Sequence, residues 1–157
     1  MTAAGRASGR RFAIITSRFN EAITSRLTAG ARACLQEHGV AAADITEVAV
    51  PGAWELPLAA RLLAAQGYQG IVAIGCVIRG DTPHFEYVAR AAAEGLAQVS
   101  LAHDLPVGFG VLTTEDDDQA LARAGGREGN KGWEAALAAL EMVDLKARLQ
   151  ADAPDPE

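Results

Sequence analysis

The stretch Ile71-Val72-Ala73-Ile74-Gly75-Cys76-Val77-Ile78 contains no charged residue. An apolar run of this length reads as a strand buried on both faces, and such strands belong to parallel sheets covered by helices on each side. Phe12–Thr16 and Ile45–Val50 read as strands before it, and Val107–Leu112 as one after it. Helical patterns separate them. Glu21–His38 is stopped by Gly39, and Trp54–Gln66 tolerates Pro57 in its first turn. A third helix follows Pro83 and presents Phe85, Val88, Ala92, Leu96 and Val99 on one face. Thr114 is read as the cap of a short helix opening Glu115-Asp116-Asp117-Asp118. A last helix runs from about Lys131 to Leu149 and buries Trp133, Leu137, Leu140 and Val143. Strands alternating with helices predict right-handed crossovers and a mostly parallel sheet.

Composition narrows the class. The 157 residues suit one domain, and a 50 % hydrophobic content suits a globular core rather than a disordered chain. The expected organisation is a flexible arm over 1–10, a single domain over 11–149 and a disordered tail over 150–157. A net charge of −6 argues against nucleic acid as a partner. No apolar run reaches membrane-spanning length, and the N-terminal segment lacks the apolar stretch of a signal peptide, so a cytoplasmic protein is expected. Cys34 and Cys76 lack metal-type spacing and read as buried, reduced thiols.

In parallel α/β sheets, ligands sit beyond the C-terminal strand ends. That rule selects Ser17–Asn20, Pro51–Glu55, Val77–His84 and the residues from Thr113 onward. Arg79-Gly80-Asp81-Thr82-Pro83-His84 is the richest turn. Gly80 permits close approach, Asp81 or Thr82 can cap the helix, and free amides at a helix start attract anions. His84 would lie beside such an anion and can exchange protons near neutral pH. Read alone, the turn serves equally as a capped helix start with an incidental histidine. Phe19 can stack on a planar ligand or staple the following helix. Trp54 offers a second flat surface and Glu55 an acceptor for hydroxyls, although the same residues suit helix initiation. Arg123-Ala124-Gly125-Gly126-Arg127-Glu128-Gly129-Asn130-Lys131-Gly132 is basic and glycine-rich but is not a P-loop. Arg123 could clamp a phosphate, or the segment could be a solvated loop. The acidic run 115–118 fits a helix start better than a metal site, and neither His38 nor His103 reads as a ligand.

Together these strings are more specific than any one of them. Phe19-Asn20, Pro51-Gly52-Ala53-Trp54-Glu55-Leu56-Pro57, Gly75 to Val88, Phe109-Gly110-Val111-Leu112-Thr113-Thr114 and Gly129-Asn130-Lys131-Gly132-Trp133-Glu134-Ala135-Ala136 occur in the order seen in the lumazine synthase family. The chain resembles that family from about Arg11 to Lys146. The resemblance implies a three-layer αβα sandwich with a four-stranded parallel sheet in the flavodoxin-like order 2-1-3-4. It also implies condensation of 5-amino-6-(D-ribitylamino)uracil with 3,4-dihydroxy-2-butanone 4-phosphate to 6,7-dimethyl-8-ribityllumazine, in riboflavin synthesis.

By that resemblance His84 transfers protons. Phe19, Ala53, Trp54, Glu55, Cys76, Val77, Ile78, Phe109 and Lys131 meet the uracil substrate, and Asp81, Thr82 and Arg123 meet the phosphate. No cofactor or metal is implied. The partners implied are the small-molecule substrates and further copies of the chain, as pentamers with sites at subunit interfaces. Decamers or a 60-subunit cage are larger alternatives, and a non-catalytic flavin carrier or shell protein is the competing use of the scaffold. Two positions depart from the family pattern. Trp54 stands where phenylalanine is frequent, and Asp81 stands where a small residue is common. The carboxylate of Asp81 is expected to turn away from the anion as an N-cap.

Overall fold

Alternation along each strand divides the core in two. On β1 (Phe12–Ser17), Phe12 and Ile14 point to one face of the sheet and Ala13 and Ile15 to the other. β3 (Gly70–Ile78) repeats the division, with Val72, Ile74 and Cys76 opposed to Ile71, Ala73 and Val77. A computed structural model of the chain describes residues 9–154 and shows both faces covered. Helix α1 (Glu21–Glu37) and helix α5 (Lys131–Ala151) cover the first face, with Leu27, Leu35, Ala136 and Leu140 in the core. Helices α2 (Leu56–Ala64) and α3 (His84–His103) cover the second, with Leu56, Ala60, Ala92 and Leu96.

β2 (Ile45–Val50) and β4 (Val107–Thr114) complete a four-stranded sheet of order β2-β1-β3-β4. Every adjacent pair is parallel. The three-layer sandwich and the flavodoxin-like strand order expected from the sequence are both present. The register aligns Ser17 with Val50 and Ile78 with Thr114, so strand ends and the turns beyond them gather at one edge. β3, buried from Gly70 to Val77 and partly exposed at Ile78, occupies an interior position, as its apolar run requires.

Close packing depends on missing side chains at two places. A Cβ at Gly108 would run into the Ala135 carbonyl, and one at Gly132 into the Leu27 carbonyl. Their absence lets α5 lie directly on β4 and on α1. The apolar face of α3 is as expected: Ala92, Leu96 and Val99 are buried, while Phe85 and Val88 pack partly against them. Trp133 and Leu137 are only partly buried against the other cluster.

Several local expectations need correction. Thr114 ends β4 rather than capping a helix, and its hydroxyl donates to the Asp116 carbonyl at 3.0 Å. The cap of α4 (Asp117–Arg123) is Asp116, whose carboxylate accepts from the Gln119 amide at 2.8 Å. The second helix begins as a 3₁₀ turn over Ala53–Glu55, and its α-helical part ends at Ala64 instead of Gln66. Neither Asp81 nor Thr82 is the N-cap of α3. Pro83 occupies that position, with only a long contact from the His84 amide to Thr82 Oγ1 at 3.5 Å. The glycine-rich segment is no plain loop: β5 (Ala124–Gly126) and β6 (Gly129–Asn130) pair as a small antiparallel turn.

Most of the expected N-terminal arm lies outside the described residues, but Arg10 is bonded to Asp144 of α5 at 2.7 Å. At the other end α5 continues to Ala151, and residues 155–157 lie outside the described residues. Among the described residues, no helix is long and apolar enough to cross a membrane.

Candidate active site

Three turns at the C-terminal edge of the sheet enclose a cavity of about 530 Å³. The first leaves β1. Its backbone follows the exit of β2, with the Arg18 amide bonded to the Val50 carbonyl at 2.8 Å and that of Phe19 to Pro51 at 3.2 Å. Asn20 then adopts the left-handed conformation, φ 62°, which asparagine tolerates better than most side chains. From there its Nδ2 donates to the Cys76 carbonyl at 2.9 Å, tying this turn to the end of β3. Phe19 is consequently held at the cavity rim, 69 % exposed.

The second turn, Pro51–Glu55, places Ala53 at the cavity floor and leaves Trp54 62 % exposed at its rim. A Cβ at Gly52 would come within 3.4 Å of Glu55 Oε2, so the carboxylate lies over this glycine. Two large flat apolar side chains left facing solvent around one concavity mark a binding surface.

The third turn follows β3. Cys76, Val77 and Ile78 form one wall. Burial pushes the Cys76 thiol up to about 11, with the charge of Asp117 adding to the effect, so the group is a neutral wall and not a nucleophile. Gly80 and Thr82 line the cavity, and His84 opens α3 beside them. Among the described residues, the amides of Gly80, Asp81 and Thr82 donate to no protein acceptor. Amides of this kind at the head of a 20-residue helix suit an anion. Asp81 is exposed and does not line the cavity.

The remaining expected residues lie elsewhere. Phe109 on β4, Arg123 at the end of α4 and Lys131 at the start of α5 line a second groove of about 580 Å³. The two concavities share no lining residue. Phe109 is 48 % exposed there. Arg123 donates to the Gln119 carbonyl at 3.0 Å, and the Lys131 ammonium pairs with Glu134 at 3.1 Å. The structure thus brings nine of the sequence-predicted residues together around the cavity (Phe19, Ala53, Trp54, Glu55, Cys76, Val77, Ile78, Thr82 and His84) and sets Phe109, Arg123 and Lys131 apart from them.

A family model described as 6,7-dimethyl-8-ribityllumazine synthase matches residues 9–147 of the 157-residue chain. The chain belongs to this family. Membership in the lumazine synthases places it among the enzymes of riboflavin biosynthesis at the level of the family. Every residue that lines the cavity or the groove falls within the matched residues.

Sequence reasoning overlooked two kinds of residue in this lumazine synthase-like site. Phe85 and Val88 were assigned to the core face of α3 but also line the cavity. They occupy the first turns of that face, where the helix overhangs the sheet edge, and that position was a usable signal. Asn20 was noticed only as part of a motif. Its bond to Cys76 joins residues 56 positions apart and left no local signature beyond the tolerance of asparagine for positive φ.

Proposed function

We propose that the chain is an active lumazine synthase. It would condense 5-amino-6-(D-ribitylamino)uracil with 3,4-dihydroxy-2-butanone 4-phosphate to 6,7-dimethyl-8-ribityllumazine, releasing phosphate and water. The observation that carries this reading is the cavity itself. Flat apolar surfaces (Phe19, Trp54), a hydroxyl acceptor (Glu55), unpaired amides at a helix start and a histidine meet in one concavity. In this reading Phe19 and Trp54 flank the pyrimidine, Glu55 holds ribityl hydroxyls, and the backbone of Cys76–Ile78 meets the uracil edge. Gly80–Thr82 hold the phosphate through their amides, with the Asp81 side chain turned to solvent.

The chemistry needs little more than these parts. The uracil amine condenses with the ketone and loses water, phosphate is eliminated, the ribitylamino nitrogen closes the ring on the remaining carbonyl, and a second water is lost. Each step moves a proton, which His84 can accept or return. Holding two substrates side by side supplies much of the rate. The proposed enzyme is cytoplasmic and needs no cofactor or metal.

A charge argument supports shared sites. Among the described residues no lysine or arginine lines the cavity, whereas Arg123 and Lys131 line the groove. A phosphate ester is held more strongly by the amides of one together with the cations of the other than by either alone. We therefore propose that the groove of one copy closes the cavity of the next, as in a pentamer, with decamers and a 60-subunit cage as further assemblies of it. Product formation followed by lumazine absorbance, with the particle mass measured by light scattering, tests both statements. Turnover no faster than the uncatalysed reaction overturns the first, and a fully active monomer overturns the second. A protein that binds riboflavin tightly without turnover would instead be a carrier.

A further inference from the structure

Arg79 carries more contacts than its exposed position requires. Its amide donates to the Thr114 carbonyl at 2.8 Å, where β3 and β4 end together. Its side chain then reaches three ways. Nε lies 2.9 Å from a carboxylate oxygen of Glu115, and a terminal nitrogen lies 3.9 Å from Glu86. The guanidinium carbon sits 4.8 Å from the centre of the Phe85 ring. Phe85 lines the cavity, Glu86 belongs to the first turn of α3, and Glu115 belongs to the link between β4 and α4. One guanidinium thus fastens the helix that begins at His84 to the end of β4. Planarity matters here, because a fork can pair edge-on with carboxylates while its face covers a ring.

We propose that Arg79 is a positioning residue for the anion subsite. It sets where the amides of Gly80–Thr82 and the ring of His84 stand, and its charge is engaged by Glu86 and Glu115 rather than presented to the phosphate. This rests on the proposed reading of the turn as a phosphate site.

Removing Glu115 makes the decisive test, because positioning and direct phosphate contact then predict opposite signs. If Arg79 contacts phosphate directly, Glu115→Gln frees the guanidinium and removes a negative charge, so phosphate affinity rises. If Arg79 positions the turn, Glu115→Gln loosens it and affinity falls. The expected results are a KM for the butanone phosphate raised about tenfold by Arg79→Ala and about threefold by Glu115→Gln, each with a smaller change in kcat. Arg79→Lys, which keeps the charge but not the fork, should stay closer to Arg79→Ala than to the unaltered protein. Inorganic phosphate binding, followed by ³¹P NMR, should weaken in the same order. An unchanged or lowered KM in Glu115→Gln overturns the proposal, as does an Arg79→Lys variant indistinguishable from the unaltered protein. An unaltered protein that binds no inorganic phosphate overturns it as well. Absence of turnover with phosphate binding intact would instead count against the enzymatic reading while leaving the role of Arg79 measurable.

Discussion

The cavity and the groove are built on opposite principles. The cavity rests on β1, β2 and β3, with buried strand residues behind it, and its polar groups include backbone amides, the Glu55 carboxylate, the Thr82 hydroxyl and the His84 imidazole. The groove rests on β4, an edge strand, and its polar groups are the cations Arg123 and Lys131 with the carboxylate of Glu134. Backbone amides can be aimed without long side chains, here by a turn anchored at its start through the Arg79 amide and the Thr114 carbonyl. Long cationic side chains need their own tethers, and here each has one: Gln119 for Arg123 and Glu134 for Lys131. The contrast teaches that the chain keeps its shaped concavity and its cationic one apart.

The comparison breaks most severely at the foot of the groove. Gly132→Ala would drive a methyl into the Leu27 carbonyl, displacing the start of α5 and Lys131 with it. A loss of about 3 kcal/mol or more is expected in urea denaturation. A loss below about 1 kcal/mol would mean that α5 can slide on α1 without cost.

Arg123→Ala tests the charged half next. It should lower kcat/KM about a hundredfold, mainly through the phosphate-bearing substrate, with little change in stability. Refolding it together with a His84→Ala chain should restore part of the activity, since some sites would then combine an intact cavity with an intact groove. Failure of the mixture to recover would argue that cavity and groove do not meet across copies.

His84→Ala should slow kcat about tenfold, leaving the contribution of substrate positioning in place. A complete loss would make proton transfer, not proximity, the dominant effect. Asn20→Ala should cost about 1 kcal/mol, from the lost bond to the Cys76 carbonyl and from the left-handed backbone it relieves poorly.

The smallest effect concerns pH. Burial pushes both Cys34 and Cys76 from 9.0 up to about 11 in the folded chain. A folded value above the unfolded one means that the folded state keeps its protons longer. The contribution is complete below about pH 9 and disappears as pH rises towards 11. The urea midpoint should therefore fall between these values, and alanine at both positions should flatten the fall. The thiols should also resist iodoacetamide at neutral pH while the chain is folded.

Much of this was legible from the residues. The apolar run of β3, the spacing on α3 and the glycine after α1 each encode a local preference that the tertiary structure only had to accept. The His38 ring closes the end of that helix, with Nδ1 2.7 Å from the Cys34 carbonyl oxygen. Helix starts were read less well. Thr114 and Asp116 are both competent caps by type, and strand pairing of Thr114 with Ile78 left that place to Asp116. The short β5–β6 pairing escaped notice because two glycine-rich strands of three and two residues carry no periodicity.

The sequence by itself determined the alternating architecture, its parallel sheet and the turns that gather around the cavity, because hydrophobic period and turn chemistry are local properties; the roles expected of single residues there came from the family resemblance. Only the tertiary structure decided that Phe109, Arg123 and Lys131 stand apart from His84, and that Arg79 is spent on Glu86, Glu115 and Phe85. Both depend on where β4 ends relative to β3, a distance set by sheet register and helix packing rather than by neighbours along the chain.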